Sequence, residues 1–157
     1  MNTSLTSTLS FFGHSELEIT DKLKEDLKNL IIKLITQENF GVFLFGGFGK
    51  FDELAWEIVT DVKKEYPYIR RVFVLTEEKH LNRLKRPKYL LDEEFEEFVF
   101  FPLQYNGFNK RIYYRNVEMI KNSDKIIFYV KNTENSGANK TMNYAKKLKK
   151  NFINLAE

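Results

Sequence analysis

The chain of 157 residues contains no cysteine. Disulfides, thiolate zinc sites, iron–sulfur clusters and thiol catalysis are therefore excluded together. Histidine occurs only twice, and neither copy has a carboxylate cluster around it, so no metal site and no cofactor are expected. No apolar run approaches the ~18 residues that span a bilayer. Met1 to Ser10 lack a basic start, and their apolar stretch is too short for a signal peptide. These absences read as a soluble cytoplasmic protein without a membrane partner. An excess of charge is lacking too: 25 Lys and Arg stand against 22 Asp and Glu, a net +3. Strong non-specific nucleic-acid binding does not follow from so small an excess.

Aromatic residues, in contrast, are abundant, with 15 Phe and 8 Tyr. Disordered chains are poor in aromatics, so this one folds. Its length fits one domain of ~50–250 residues, which buries roughly two-thirds of its unfolded surface and needs no covalent staple. With no internal repeat and no low-complexity linker, residues 1–157 are read as a single domain.

Thr8–Phe12 is short, apolar and ended by Gly13, which predicts a buried first strand. Asp21–Thr36 reads as a helix capped by Thr20 or Asp21, with Leu23, Leu27, Leu30, Ile31, Leu34 and Ile35 on one stripe. Val42–Phe45 is a second buried strand. Phe51–Lys64 is a helix that stops before Pro67. Arg71–Leu75 and Glu97–Phe101 follow as strands, then helix Ile112–Asn122, strand Lys125–Val130, helix Asn139–Lys150 and a final strand Phe152–Leu155. Strands alternating with helices imply parallel βαβ units with right-handed crossovers. Continuous apolar strands suit a sheet covered on both faces. The predicted fold class is α/β, a single-domain Rossmann-like three-layer sandwich with a mostly parallel, doubly wound sheet. Ligands of such sheets sit beyond the carboxyl ends of the strands.

The loops at those ends hold the candidate binding residues. Gly46, Gly47 and Gly49, with Phe48 between them, join a buried strand to a helix that carries Asp52 in its first turn. Glycines let a backbone approach a ligand closely, and a helix start offers free N–H groups to a phosphate. The same glycines also suit a plain strand-to-helix turn, and the spacing is neither a Walker A motif nor the common dinucleotide fingerprint. Ser136, Gly137 and Thr141 form a second candidate at another helix start, or an ordinary polar loop with Asn139 as its cap. Arg111 and Arg115, four apart, project from one helix face and suit either a ligand phosphate or a protein carboxylate. As a binding residue, Arg115 is expected to be separable from folding. His14 follows Gly13 at the end of the first strand. Arg83, Lys85, Arg86 and Lys88 form a basic run that suits a flexible lid or plain surface. Asp92, Glu93, Glu94, Glu96 and Glu97 read as a solvated helix face or the approach to a strand, not a metal site.

Several of these segments resemble one family. The run from Ser10 to His14 is similar to the "FTGHR" opening of YpsA-like proteins in the SLOG superfamily, which includes the Smf/DprA and Lonely-guy-type domains. Gly46 to Ala55 resembles that family's "GG..GFD.LA" loop and helix. Glu65 to Arg70 resembles "YPHIR". Arg115 to Asp124 resembles "RN..M...SD", which adds Asn116 to the candidates. Ser136 to Lys147 resembles "GGT..T..YA.K". Ser15 stands where the family often has Arg, and Ala138-Asn139 replace a Gly and a Thr. The Lonely-guy loop "PGG.GT..E" and its required Glu have no counterpart.

The resemblance implies a nucleotide or nucleotide-derived ligand at the carboxyl edge of the sheet, bound by a sensor or binding module. Phe48, Tyr105 or Phe108 are the aromatics read as stacking on its base. One alternative is a nucleoside-monophosphate N-glycosidase, which needs a carboxylate from Asp52, Glu53 or Glu118. Glu118, three residues after Arg115, is expected to pair with it instead. Another alternative is a DNA-processing accessory protein, against which the small net charge argues. A homo-oligomer stays open.

Overall fold

The computed structural model describes residues 6–47, 49–87, 95–102, 107–131 and 136–156, except for the side chains of Phe108 and Asn109. The apolar runs form strands β1 (Ser7–Gly13), β2 (Phe40–Phe45), β3 (Arg70–Leu75), β4 (Glu97–Phe100), β5 (Lys125–Tyr129) and β6 (Asn151–Asn154). Four helices lie between them: α1 (Asp21–Glu38), α2 (Lys50–Val62), α3 (Phe108–Lys121) and α4 (Gly137–Lys147). Every strand pairing is parallel, in the order β4-β3-β2-β1-β5-β6, so the sheet is wholly rather than mostly parallel.

Alternation along the strands decides which helices cover which face. Leu9, Phe11, Phe43, Phe45 and Phe73 pack with Leu27, Ile31 and Leu34 of α1 and with Phe51, Leu54 and Val59 of α2. Phe12, Leu44, Val72, Ile126 and Phe128 point the other way, onto Met119 and Ile120 of α3 and Met142 and Ala145 of α4. These are the three layers implied by the apolar pattern. The chain builds from β1 outward through β2 and β3 to β4, then returns to lay β5 on the other side of β1. Such a reversal of strand order opens a crevice at the carboxyl ends. No helix among the described residues is long and apolar enough to cross a membrane.

Element ends differ from the sequence pattern for local reasons. Thr20, not Asp21, caps α1, its Oγ1 accepting the Leu23 N–H at 3.1 Å. Ser136, not Asn139, caps α4: its hydroxyl accepts the Asn139 N–H at 3.0 Å, so the helix starts two residues early. Gly107, at φ 100, turns the chain into α3, which begins at Phe108 rather than Ile112. Arg83–Lys85 of the basic run forms a short 3-10 turn, just after another at Glu78–Leu81. Arg86 donates to the carbonyls of His80 and Leu81 and lies 3.9 Å over the Phe98 ring, so it is tied down rather than free. Lys88, Asp92, Glu93 and Glu94 lie outside the described residues.

Of the two readings of the acidic run, Glu96 takes the strand approach, immediately before β4. Arg71 holds it through a fork, Nε to Oε1 at 3.0 Å and Nη2 to Oε2 at 2.7 Å, and adds its backbone N–H at 2.9 Å. Lys63 Nζ lies 3.4 Å from Oε1. This cluster ties the approach to β4 onto β3 and the end of α2. Burial alone would raise the Glu96 pKa, but the Arg71 side-chain and backbone hydrogen bonds and the charges of Arg71 and Lys63 outweigh it, holding it below the ordinary 4.5. A carboxyl depressed on folding stabilises above its unfolded pKa, and that contribution is lost as pH falls through the folded value. Glu96→Gln is expected to cost about 1–2 kcal/mol near pH 7, and the difference from the parent should vanish as pH drops well below 4.5. Urea denaturation at a series of pH values measures it. An undiminished gap in acid would refute the assignment.

Candidate functional site

A cavity of about 610 Å³ opens at the carboxyl ends of β1 and β2. Residues 11–15 of β1 and its loop, Gly46 after β2 and Asp52 of α2 contribute to its wall. From the other face of the sheet come Lys110 and residues 112–116 of α3, and residues 136–138, Lys140 and Thr141 of α4. Four segments distant in sequence thus meet where the strand order reverses.

Arg115 organises this edge. It lies about two turns into α3, only 5% exposed, and its Nη1 donates to the Gly46 carbonyl at 2.6 Å. Nη2 donates to Asn116 Oδ1 at 3.2 Å, while the buried Nε has no partner among the described residues. Burial pushes the guanidinium down to about 10, with the Asp52 charge acting the other way, so it stays charged at neutral pH. Asp52, also buried, accepts the N–H groups of Gly46 at 3.4 Å and Gly47 at 2.6 Å. The peptide at Gly46 is therefore gripped from both sides by opposite charges. A Cβ on Gly46 would come within 2.5 Å of Arg115 Nη2, so a side chain there would displace the guanidinium. Gly47 has φ 71, and a Cβ there would overlap the Phe73 ring, so its glycine answers to the core.

Of the candidate residues, Gly13, His14, Gly46, Asp52, Arg115, Asn116, Ser136, Gly137 and Thr141 come together around the cavity. Gly47, Gly49 and Arg111 are not in its lining. Gly49 instead forms the start of α2 at φ 97. Arg111 turns away from Arg115 to lie 4.0 Å from Glu77 Oε1, although the two are four apart on one helix. His14 Nε2 accepts the Lys131 N–H at 2.8 Å, which needs a neutral ring with its proton on Nδ1 and ties the ends of β1 and β5 together. The Thr141 hydroxyl donates to the Gly137 carbonyl one turn back, at 2.9 Å. Glu118 pairs with Lys121 at 3.8 Å, not with Arg115. Phe48, Tyr105 and the Phe108 side chain lie outside the described residues.

Sequence reasoning missed Lys110, Tyr113, Tyr114 and Lys140, which also line the cavity. The tyrosine rings meet edge to face, 5.1 Å apart. With α3 starting at Phe108, Lys110 falls in the first helical turn, and Lys140 does so in α4. Their placement at the start of helices that follow β4 and β5 is the signal that could have singled them out. Among the described residues no group of three or more His, Asp or Glu side chains could hold a metal ion.

No family model and no curated protein matches the chain in sequence. Solved structures do share its fold. DNA processing protein A from Helicobacter pylori, studied for its single-stranded DNA binding mode, superposes with a TM-score of 0.59 at 15% identity. The match covers 93% of this chain but only 63% of that protein, so the chain spans less than two-thirds of its length. The structural-genomics target TM1055 superposes with a TM-score of 0.57 at 15% identity, over 94% of this chain and 72% of the other. At such identity the likeness is one of fold alone: a parallel, Rossmann-like α/β sheet with helices on both faces.

Proposed function

We propose that the chain binds a nucleotide or nucleotide-derived ligand in the cavity at the carboxyl edge of the sheet, as a YpsA-like sensor or binding module. The observation that carries this reading is the cavity itself, about 610 Å³ where the strand order reverses, with a buried, charged Arg115 in its wall. Its volume lies in the range of ~300–1,000 Å³ usual for small-molecule sites, and such sites favour these switch points. Tyr113 and Tyr114 supply aromatic surface for a base. The start of α4, capped by Ser136, supplies a positive dipole end for a phosphate.

Binding without turnover fits the carboxylates better than hydrolysis does. Asp52 lines the cavity, but its oxygens are engaged by the Gly46 and Gly47 N–H groups. Glu53 and Glu118 do not line it. The test is thermal shift against a panel of nucleotides, their dinucleotide derivatives and a short oligo-dT, followed by mass analysis of the ligand. A shift by a nucleotide recovered intact supports the reading. Release of free base would favour the N-glycosidase, and a shift by oligo-dT alone would favour DNA processing.

Gly137 offers the cleanest block. It lines the cavity, and a Cβ built on it meets no atom within 4 Å. Gly137→Leu is expected to weaken nucleotide binding at least about tenfold, roughly 1.4 kcal/mol, by titration calorimetry, with the melting temperature unchanged or slightly raised. Gly47→Val cannot serve, because Phe73 occupies that space.

Arg115→Ala should not behave as a pure binding variant. It removes a buried donor from the Gly46 carbonyl and leaves Asp52 facing an empty site. Loss of about 2–4 kcal/mol in chemical denaturation is expected, in contrast to the near-neutral effect of an exposed arginine. A cost below ~0.5 kcal/mol would show that the guanidinium does not organise the loop.

A further inference from the structure

The four helices do not treat their N-termini alike. α1 carries Asp21 in its first turn beside Lys22 and Lys24, and α2 carries Asp52 and Glu53 beside Lys50, so both offset their cations with the acid that the helix dipole favours. α3 and α4 have no acidic residue in the first turn, and each places a lysine there, Lys110 and Lys140. The first turns of α2, α3 and α4 all line the cavity, α2 through Asp52 and the other two with these lysines in the wall. A cation at a helix N-terminus opposes the dipole, so each position costs stability when empty. Neither lysine has a carboxylate within 4.0 Å among the described residues. Arg115 is the third cation in the lining, and its Nε has no partner among those residues. Against these stands the carboxylate of Asp52, already engaged by the Gly46 and Gly47 N–H groups.

We infer that Lys110 and Lys140 are specificity-determining residues that select a ligand carrying a diphosphate or longer phosphate chain over a nucleoside monophosphate. This rests on the nucleotide-binding reading and deepens it. The lysines come from two different helices, and each can neutralise one phosphoryl group. A monophosphate can satisfy one of them and leaves the other helix start carrying an unpaired cation. A diphosphate or a dinucleotide brings charge to both. Lysine suits this task as a point charge on a flexible stem that follows a chain of phosphates.

The experiment is calorimetric titration of the full chain with AMP, ADP, ATP and NAD. The parent should bind ADP at least about tenfold more tightly than AMP. Lys110→Gln and Lys140→Gln should each weaken ADP about threefold to fivefold, the scale of an exposed ion pair, and the double variant should bring ADP and AMP within about twofold. Both side chains are exposed, so the variants fold. A control of equal charge change, Lys146→Gln with Lys147→Gln near the end of α4, lies outside the lining and should leave the AMP-to-ADP ratio as in the parent. If the parent binds AMP and ADP equally, or the double variant keeps the preference, or the control abolishes it as well, the inference is wrong while nucleotide binding stands. If nothing in the series binds, both readings fall.

Discussion

Helices on opposite faces of the sheet reach the same peptide at the end of β2. Arg115, from α3, donates to the Gly46 carbonyl, and Asp52, from α2, accepts the Gly46 and Gly47 N–H groups. Removing either charge from water costs several kcal/mol unless the partners are well placed. Here the two compensate each other across one peptide plane, with Asp52 favouring the charged form of the buried guanidinium. This pairing brings α3 within reach of β2, and the cavity exists because that distance is held. Gly46 must be glycine for this contact, and Gly47 must be glycine because Phe73 fills the space beside it. The conspicuous glycines thus serve the packing that makes the cavity.

A loop fixed in this way would lower the ordering cost of the binding we propose, because little of the wall on that side would need to settle. The adaptable part lies opposite. Lys110 and Lys140 are exposed, long and rotatable, and Tyr113 and Tyr114 are half-buried. Rigid backbone on one side and flexible cations on the other divide the site into a shape-defining wall and a charge-supplying wall. His14 closes the division by tying the end of β1 to the start of the chain after β5.

The layered α/β fold was legible because the strands are continuous apolar runs and the helices carry one-sided stripes. Leu9 and Phe11 against Phe12 already imply two covered faces, and both cores use them as expected. Helix starts were less legible, because caps were assigned by residue type alone. Ser136 and Asn139 both suit a cap, and only the backbone path decides for Ser136. Gly107 at φ 100 starts α3 a full turn before the apolar pattern begins. That shift altered the reading of the site: it moved Arg115 from about one turn to about two turns inside α3 and put Lys110 in the first turn. Spacing of four residues made Arg111 and Arg115 a pair, but Glu77, from the segment after β3, draws Arg111 elsewhere. Long-range partners of this kind, like Arg71 for Glu96, leave no mark in local sequence.

Asp52 shows how one residue can look catalytic in sequence and act as scaffold in space. It is the acidic residue after a glycine-bearing loop, it lines the cavity and it is buried. A general base, though, must have an oxygen free to take a proton from a water or a substrate within hydrogen-bond reach. At 2.6 Å the Gly47 N–H occupies one carboxylate oxygen, and the Gly46 N–H approaches the other. Protonating Asp52 would weaken its hold on the Gly46 and Gly47 N–H groups and leave the Arg115 guanidinium without its counter-charge. Turnover at Asp52 would therefore cost the wall that shapes the cavity part of its support. A carboxylate committed to holding the site open is suited to recognition, and the remaining charges in the lining, all cationic, are suited to attracting phosphate rather than cleaving a sugar bond.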